Sequence, residues 1–409
     1  MINYRDNILL IFFFFASIII SLFPFYLLAQ DSEDEPSLHV GGALRYNVIL
    51  ESYESDIDAN SSAFTMDTWR INVVYDNPGG IGLNFEYRFY PTFGTHFIKQ
   101  GWLDYHFNDR TELQLGVTQV PFGNIQYNSN NWWFSLPYYV GLEDDHDMGL
   151  KLTHRTDNFQ WDFAYFFQPE PEGPPEAFGT GGSGRYSYDV VPEGNASLTE
   201  RNQFNIRGAY QFDTGEFGAS LQYGQLYSTA LDQFDSRYAF AVHADINSGN
   251  FNIKPQFLYY GMNAFDDDGQ ELSTVFMGAY GIPYQVSTEA WIATLGLAYS
   301  YAVEWGPITN LLFYNDFSYM QNTVGEGTTQ LADGSSLTLD NHFQYTVQNI
   351  TGILMSAGPV FTYFDIAQGI NHPWLTESFG TGVGPGHEDL GIGESEYNIR
   401  FNINIGFYF

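Results

Sequence analysis

The sequence predicts an all-β protein: a transmembrane antiparallel β-barrel of about 16 strands, with short turns on one rim and long external loops on the other. Three observations predict it. Aromatic residues make up 18% of the 409 residues while mean hydropathy is only −0.22, so apolar area is spread through a chain that is polar on average. After Ser37, hydrophobicity alternates with period two, as it must where one strand face meets lipid and the other a lumen. The links between alternating stretches are by turns very short and long. A bundle of membrane helices is excluded, because each would need about 20 consecutive apolar residues.

Only one segment carries such a run. Residues Ile8 to Ala29 are almost wholly apolar, follow a short polar start with Arg5, and lead into Asp31, Glu33, Asp34 and Glu35. This order reads as a signal peptide, residues 1–29, cut after Ala29. A short acidic segment, 30–36, and a single barrel domain, 37–409, follow it.

The strands fall near 37–51, 63–76, 81–91, 95–108, 111–120, 147–156, 158–168 and 202–213, then 216–227, 236–247, 250–262, 289–304, 307–320, 341–356, 359–370 and 396–409. Most are long enough to cross a bilayer, since a tilted strand needs about 9–11 residues. The third shows the pattern well: Ile81, Leu83, Phe85, Tyr87 and Phe89 share one face, Asn84, Glu86 and Arg88 the other. Even-to-odd links are tight and turn-like, as in Asn77-Pro78-Gly79-Gly80, Asp213-Thr214-Gly215 and Asn247-Ser248-Gly249. Odd-to-even links are mostly long and rich in Gly, Pro, Asp and Asn, as at 169–201, 263–288, 321–340 and 371–395. A soluble Greek-key sandwich has no reason to alternate in this way.

Charge and cysteine content narrow the chemistry. With 14 Lys and Arg against 48 Asp and Glu the formal charge is −34, which disfavours nucleic acid as a partner. The absence of Cys excludes disulfides and thiolate metal sites, and no cofactor is expected.

Two stretches carry a family resemblance. The terminal segment SEYNIRFNINIGFYF places Tyr397, Ile399, Phe401, Ile403, Ile405, Phe407 and Phe409 at every second position. It resembles the last strand of bacterial outer-membrane proteins, in which the final aromatic, here Phe409, is implied to signal to the barrel-assembly machinery. The segment LQLGVTQVPFGN, 113–124, resembles the strand entering the third external loop of the phosphate-selective porin O and P family and related 16-stranded porins, with Gly116 and Pro121-Phe122-Gly123 in the matching turn. The resemblance implies a homotrimeric passive diffusion channel for small hydrophilic solutes and ions. Its place would be the outer membrane of a Gram-negative bacterium, among outer-membrane lipid and lipopolysaccharide. The Lys- and Arg-rich loops of anion-binding members are missing, so phosphate specificity is not implied.

The alternation puts nine basic side chains on the lumen phase: Arg45, Arg70, Arg88, Lys151, Arg155, Arg207, Arg237, Lys254 and Arg400. Trp69, Ile71, Val73, Phe85, Trp161, Phe240 and Leu297 hold the lipid phase. A charge at the lipid-facing midplane would cost about 2–4 kcal/mol, so this sorting follows from the fold. The third external loop, 121–146, is aromatic through Trp132, Trp133, Phe134, Tyr138 and Tyr139 and ends in Glu143, Asp144, Asp145 and Asp147 around His146. Folded inward, these carboxylates would face the basic wall across the pore and set up a transverse field.

Other readings compete. A sugar or anion channel could use inward aromatics such as Trp102 and Tyr260, and a barrel sealed by its loops would serve a structural role. An outer-membrane enzyme would need a base such as His96, His106, His154 or His243, yet no nucleophile signature accompanies them. Asp266-Asp267-Asp268-Gly269 resembles a calcium loop in composition without the EF-hand ligand spacing, and His387-Glu388-Asp389 lacks the spacing of a helical zinc site.

Overall fold

The computed structural model describes residues 35–51, 64–173, 184–324, 327–330, 332–339, 345–375 and 397–409. The signal peptide of 1–29 and the His387-Glu388-Asp389 cluster lie outside the described residues. Sixteen strands form one closed antiparallel barrel in which each pairs with its sequence neighbours and the last pairs with the first. They are β1 Ser37–Glu51, β2 Phe64–Asp76, β3 Ile81–Tyr90, β4 Thr95–Asn108, β5 Thr111–Gln119, β6 His146–Arg155, β7 Phe159–Pro169 and β8 Leu198–Phe212. The second half comprises β9 Gly215–Ser228, β10 Gln233–Ser248, β11 Phe251–Met262, β12 Glu289–Trp305, β13 Ile308–Asn322, β14 Tyr345–Ala357, β15 Val360–Ile370 and β16 Tyr397–Tyr408. The expected strand number and order are those observed. At the seam Ala43 faces Tyr408 and Glu51 faces Arg400. Phe409 adds two backbone hydrogen bonds with Gly42.

The period-two pattern becomes two chemically distinct faces. On β10, Tyr238, Phe240 and Val242 are exposed on the outside while Arg237, Ala239, Ala241 and His243 are buried. Closing the sheet leaves no open edge, so every strand satisfies its backbone groups through neighbours, the condition for lying in lipid.

The external side is not empty space above the barrel. A hairpin of Thr274–Ala279 and Ile282–Ser287, from the link between β11 and β12, is buried throughout and pairs with the short strand Asp189–Val190 from the link between β7 and β8. Its two-residue turn puts Tyr280 at φ 57° and Gly281 at φ 83°, the left-handed pair that a tight type I′ hairpin turn needs. The strained Tyr280 is held there by aromatic packing, with its ring 5.0 Å from that of Tyr90.

Candidate functional site: the third loop and the cavity it borders

The loop between β5 and β6 runs from residue 120 to residue 145, so β6 begins at His146, one residue before the expected 147, and Asp147, grouped with the loop acids in the sequence, lies on the strand. Asp147 pairs with Thr118 on one side and Pro169 on the other. The loop leaves β5 at Pro121-Phe122-Gly123, where Gly123 has a left-handed φ of 61°. That conformation presents Gly123 N–H to Ser220 Oγ of β9 at 3.0 Å and its carbonyl to Arg207 Nε of β8 at 2.8 Å. Asn124 N–H donates to Gln256 Oε1 of β11 at 2.9 Å, and Asn128 Nδ2 to Thr294 Oγ1 of β12 at 2.6 Å.

The strongest anchor is on β13, eight staves round the barrel from β5. Asp316 accepts from Asn130 N–H at 2.7 Å, Asn130 Nδ2 at 2.8 Å, Asn131 N–H at 2.9 Å and Asn131 Nδ2 at 2.7 Å. Beyond it, the Arg45 guanidinium of β1 stacks 3.8 Å from the Trp132 ring and Arg400 of β16 lies 4.3 Å from Trp133. Gln126, Phe134 and Asp144 hold left-handed backbone without being glycine. Such strain persists only where surrounding contacts over-determine the conformation.

The loop carboxylates do not face the cavity. Glu143 turns into its own loop, accepting from the backbone N–H of Asn128 at 2.9 Å, Ser129 at 3.3 Å and Ser135 at 3.1 Å, and from the Ser135 hydroxyl. Burial nonetheless pushes its carboxyl up to about 7, against the pull of these donors. Asp144 receives the Tyr186 hydroxyl at 2.6 Å and Lys99 Nζ at 3.2 Å, and burial raises its carboxyl too. Asp145 and Asp147 lie with Asp189 in a buried cluster. An acidic face set across open water from a basic wall is therefore not the arrangement found among the described residues.

The basic residues divide by height and by partner. Arg70 and Arg88 share Glu86, Arg207 meets Asp162 and Glu216, Arg237 meets Glu200, and Arg45 is 4.0 Å from Asp67. Lys151 and Lys254 donate to the backbone carbonyls of Gln119 and Tyr127. Arg155 ends β6 beside the short turn, half exposed, away from the loop. Much of the wall's positive charge is thus matched by acids on the wall itself.

A cavity of about 440 Å³ lies beside the loop. Arg70, Arg88 and Arg400 reach it from the wall with Asp67, and Asn130 and Asn131 offer amides. The rest of its lining is largely aromatic: Trp132, Trp133 and Tyr138 come from the loop, Tyr186, Tyr280 and Trp374 from other external links. None of Glu143, Asp144, Asp145 or Asp147 lines it.

Several of these residues escaped sequence reasoning. Lys99 is one: the β3–β4 register slips where Glu86 pairs with Gln100 and Tyr87 with Ile98, so Lys99 is an extra, bulged residue that strict alternation puts on the wrong face. Trp102 does pair with Asn84 on the Glu86 face, and Tyr260 is buried with its hydroxyl on Ser287 O. The Asp266–Asp268 run serves its own turn, Asp266 Oδ1 accepting from the N–H groups of Asp268 and Gln270. The four histidines also have local partners: His96 Tyr87, His106 Asp104, His154 Thr111, and His243 Arg207 and Glu216.

No family model and no curated protein matches the chain. Solved structures do. An anion-selective porin from Comamonas acidovorans aligns at TM-score 0.56 and 13% identity, over 92% of this chain and 100% of that one. The trimer form of OmpT, an outer-membrane protein of Vibrio cholerae, aligns at 0.55 and 12%, over 92% and 100%. The outer-membrane channel DcaP of Acinetobacter baumannii aligns at 0.55 and 11%, over 94% and 100%. At such identities the likeness is one of fold: the 16-stranded barrel of outer-membrane porins.

Proposed function

We propose that the chain is a porin of the Gram-negative outer membrane, a passive diffusion channel for small hydrophilic solutes and ions in which the third loop narrows the lumen. The observation that carries this reading is the path of residues 120–145, anchored from Ser220 to Asp316 while a cavity persists beside it. A loop fixed across a barrel interior reduces the aperture without closing it. The porin fold of the aligned structures supports the localisation, and the trimer form of OmpT supports a homotrimer. Lipopolysaccharide at the outer rim and recognition of Phe409 by the assembly machinery belong to the same reading.

A second reading, a channel selective for an anion or a sugar, is favoured by the cavity lining. Three guanidinia against one Asp67 carboxylate, among stacked rings, suit a small solute with negative charge or a flat apolar face. Planar-bilayer recording of the refolded protein under a salt gradient tests both. Stepwise openings with an anion-selective reversal potential are expected, shifting toward cations in Arg400→Ala. Cation selectivity in the parent would remove the role of the arginines, and silence from a folded, heat-modifiable barrel would remove the channel.

A further inference from the structure

Five buried carboxylates converge where the third loop meets the fourth external link. Asp145 ends the third loop, Asp147 is the second residue of β6, Glu170 and Asp189 belong to the link after β7, and Glu200 is the third residue of β8. Each residue is at most 4% exposed. Asp145, Asp147 and Asp189 each offer an oxygen within 4.8 Å of the other two.

Two basic groups enter the cluster. Arg185 is 3.0 Å from Asp189, and Arg237 pairs with Glu200. Gln203 Nε2 donates to Asp147 Oδ2 at 3.0 Å, and the backbone N–H groups of Ser187 and Val190 serve Glu170 and Glu200. Four oxygens are still left, buried and without a donor among the described residues: Asp145 Oδ1, Asp147 Oδ1, Glu170 Oε2 and Glu200 Oε2. Five carboxylates against two guanidinia carry three uncompensated negative charges when ionised, and a buried site does not hold such charges unpaired. Protons or a cation must neutralise them.

We propose that Asp145, Asp147 and Asp189 bind a calcium ion that fastens the third loop to the fourth external link. The donors are all hard oxygens, with neither His nor Cys among them, which points away from zinc. Three oxygens that all lie within 4.8 Å of one another can share a single ion at calcium–oxygen distances of about 2.3–2.6 Å. Magnesium gives up its waters reluctantly and usually keeps several of them, which a fully buried carboxylate site suits less well. The ion is a structural tie and not a permeating solute, so the inference stands apart from the channel reading.

The test uses full-length refolded protein in detergent at pH 7.5, stripped with EGTA. Calcium titration by calorimetry should show one saturable site per chain, with a raised thermal midpoint, and terbium should give luminescence sensitised through Tyr188. Asp145→Asn and Asp189→Asn should each weaken binding at least tenfold, and Asp268→Asn, at an exposed loop tip, should leave it unchanged. No saturable binding to the parent protein overturns the site, a result that needs no variant to fold. Equal loss in Asp268→Asn would mean diffuse surface binding and overturns it too, and equal affinity for magnesium overturns the choice of ion.

Discussion

Along β9, Phe217, Leu221 and Tyr223 stand 51–61% exposed on the outside while Ser220 and Gln222 are buried facing in. Along the third loop, Asn128, Ser129, Ser135, Glu143 and Asp144 are all buried, and no period sorts them from Trp133, Leu136 and Tyr139, which are buried beside them. The strand meets two solvents and has one rule for each face. The loop meets protein on nearly every side, so its polar atoms are placed one at a time by individual partners. Order in the wall is repetitive and tolerant, whereas order in the loop is specific and can be lost at single atoms.

The largest expected effect breaks the rule of the wall. Leu221→Arg puts a charge at the middle of a lipid-facing strand and should cost about 2–4 kcal/mol in reversible unfolding into lipid. Next is the rule of the loop. Asp316→Ala deprives four donors of their acceptor, which should cost the loop about 2–3 kcal/mol and speed amide exchange at Asn130 and Asn131. The barrel's own unfolding midpoint should hardly move, and if it falls as far as in Leu221→Arg, the two regions are not separable.

A smaller effect concerns pH. Because the Glu143 carboxyl titrates higher folded than unfolded, the folded state binds the extra proton. Its contribution is full below the unfolded value near 4.5 and is lost as pH rises through about 7. Without calcium, protease cleavage within residues 120–145 should be slower at pH 5 than at pH 8, and Glu143→Gln should reduce that difference. An unchanged pH profile in the variant would reassign the dependence to other groups. Smallest is Arg110→Ala at the short-turn rim. Its pair with Asp157, 2.7 Å apart with side chains 60% and 81% exposed, should be worth less than about 0.5 kcal/mol in the same unfolding assay.

The same contrast decides what could be read from residues alone. Strand order and the asymmetry of the rims were legible because period two and turn composition are local properties. Arg45, Arg88 and Arg400 are buried, as their place in the alternation leads one to expect. The alternation misplaces Lys99, since one bulged residue inverts the phase and its signal lies in the partner strand. Glu143, Asp144, Asp145 and Asp147 were visible as a cluster, but the Tyr186 hydroxyl that meets Asp144 and the Asp189 carboxylate beside Asp145 and Asp147 lie more than 35 residues on. Nor could any local pattern connect Asn130 to Asp316, 186 positions away.

In the channel proposed above, the grip of Asp316 on Asn130 and Asn131 would have an electrical consequence. Thermal wandering of a constriction appears in a current record as flicker, because each small displacement of the wall modulates the ions passing it. A segment tied by four bonds to one carboxylate, and stacked beyond it on Arg45 and Arg400, has little room to wander. The open level should therefore be quiet, its noise close to that of a rigid resistor.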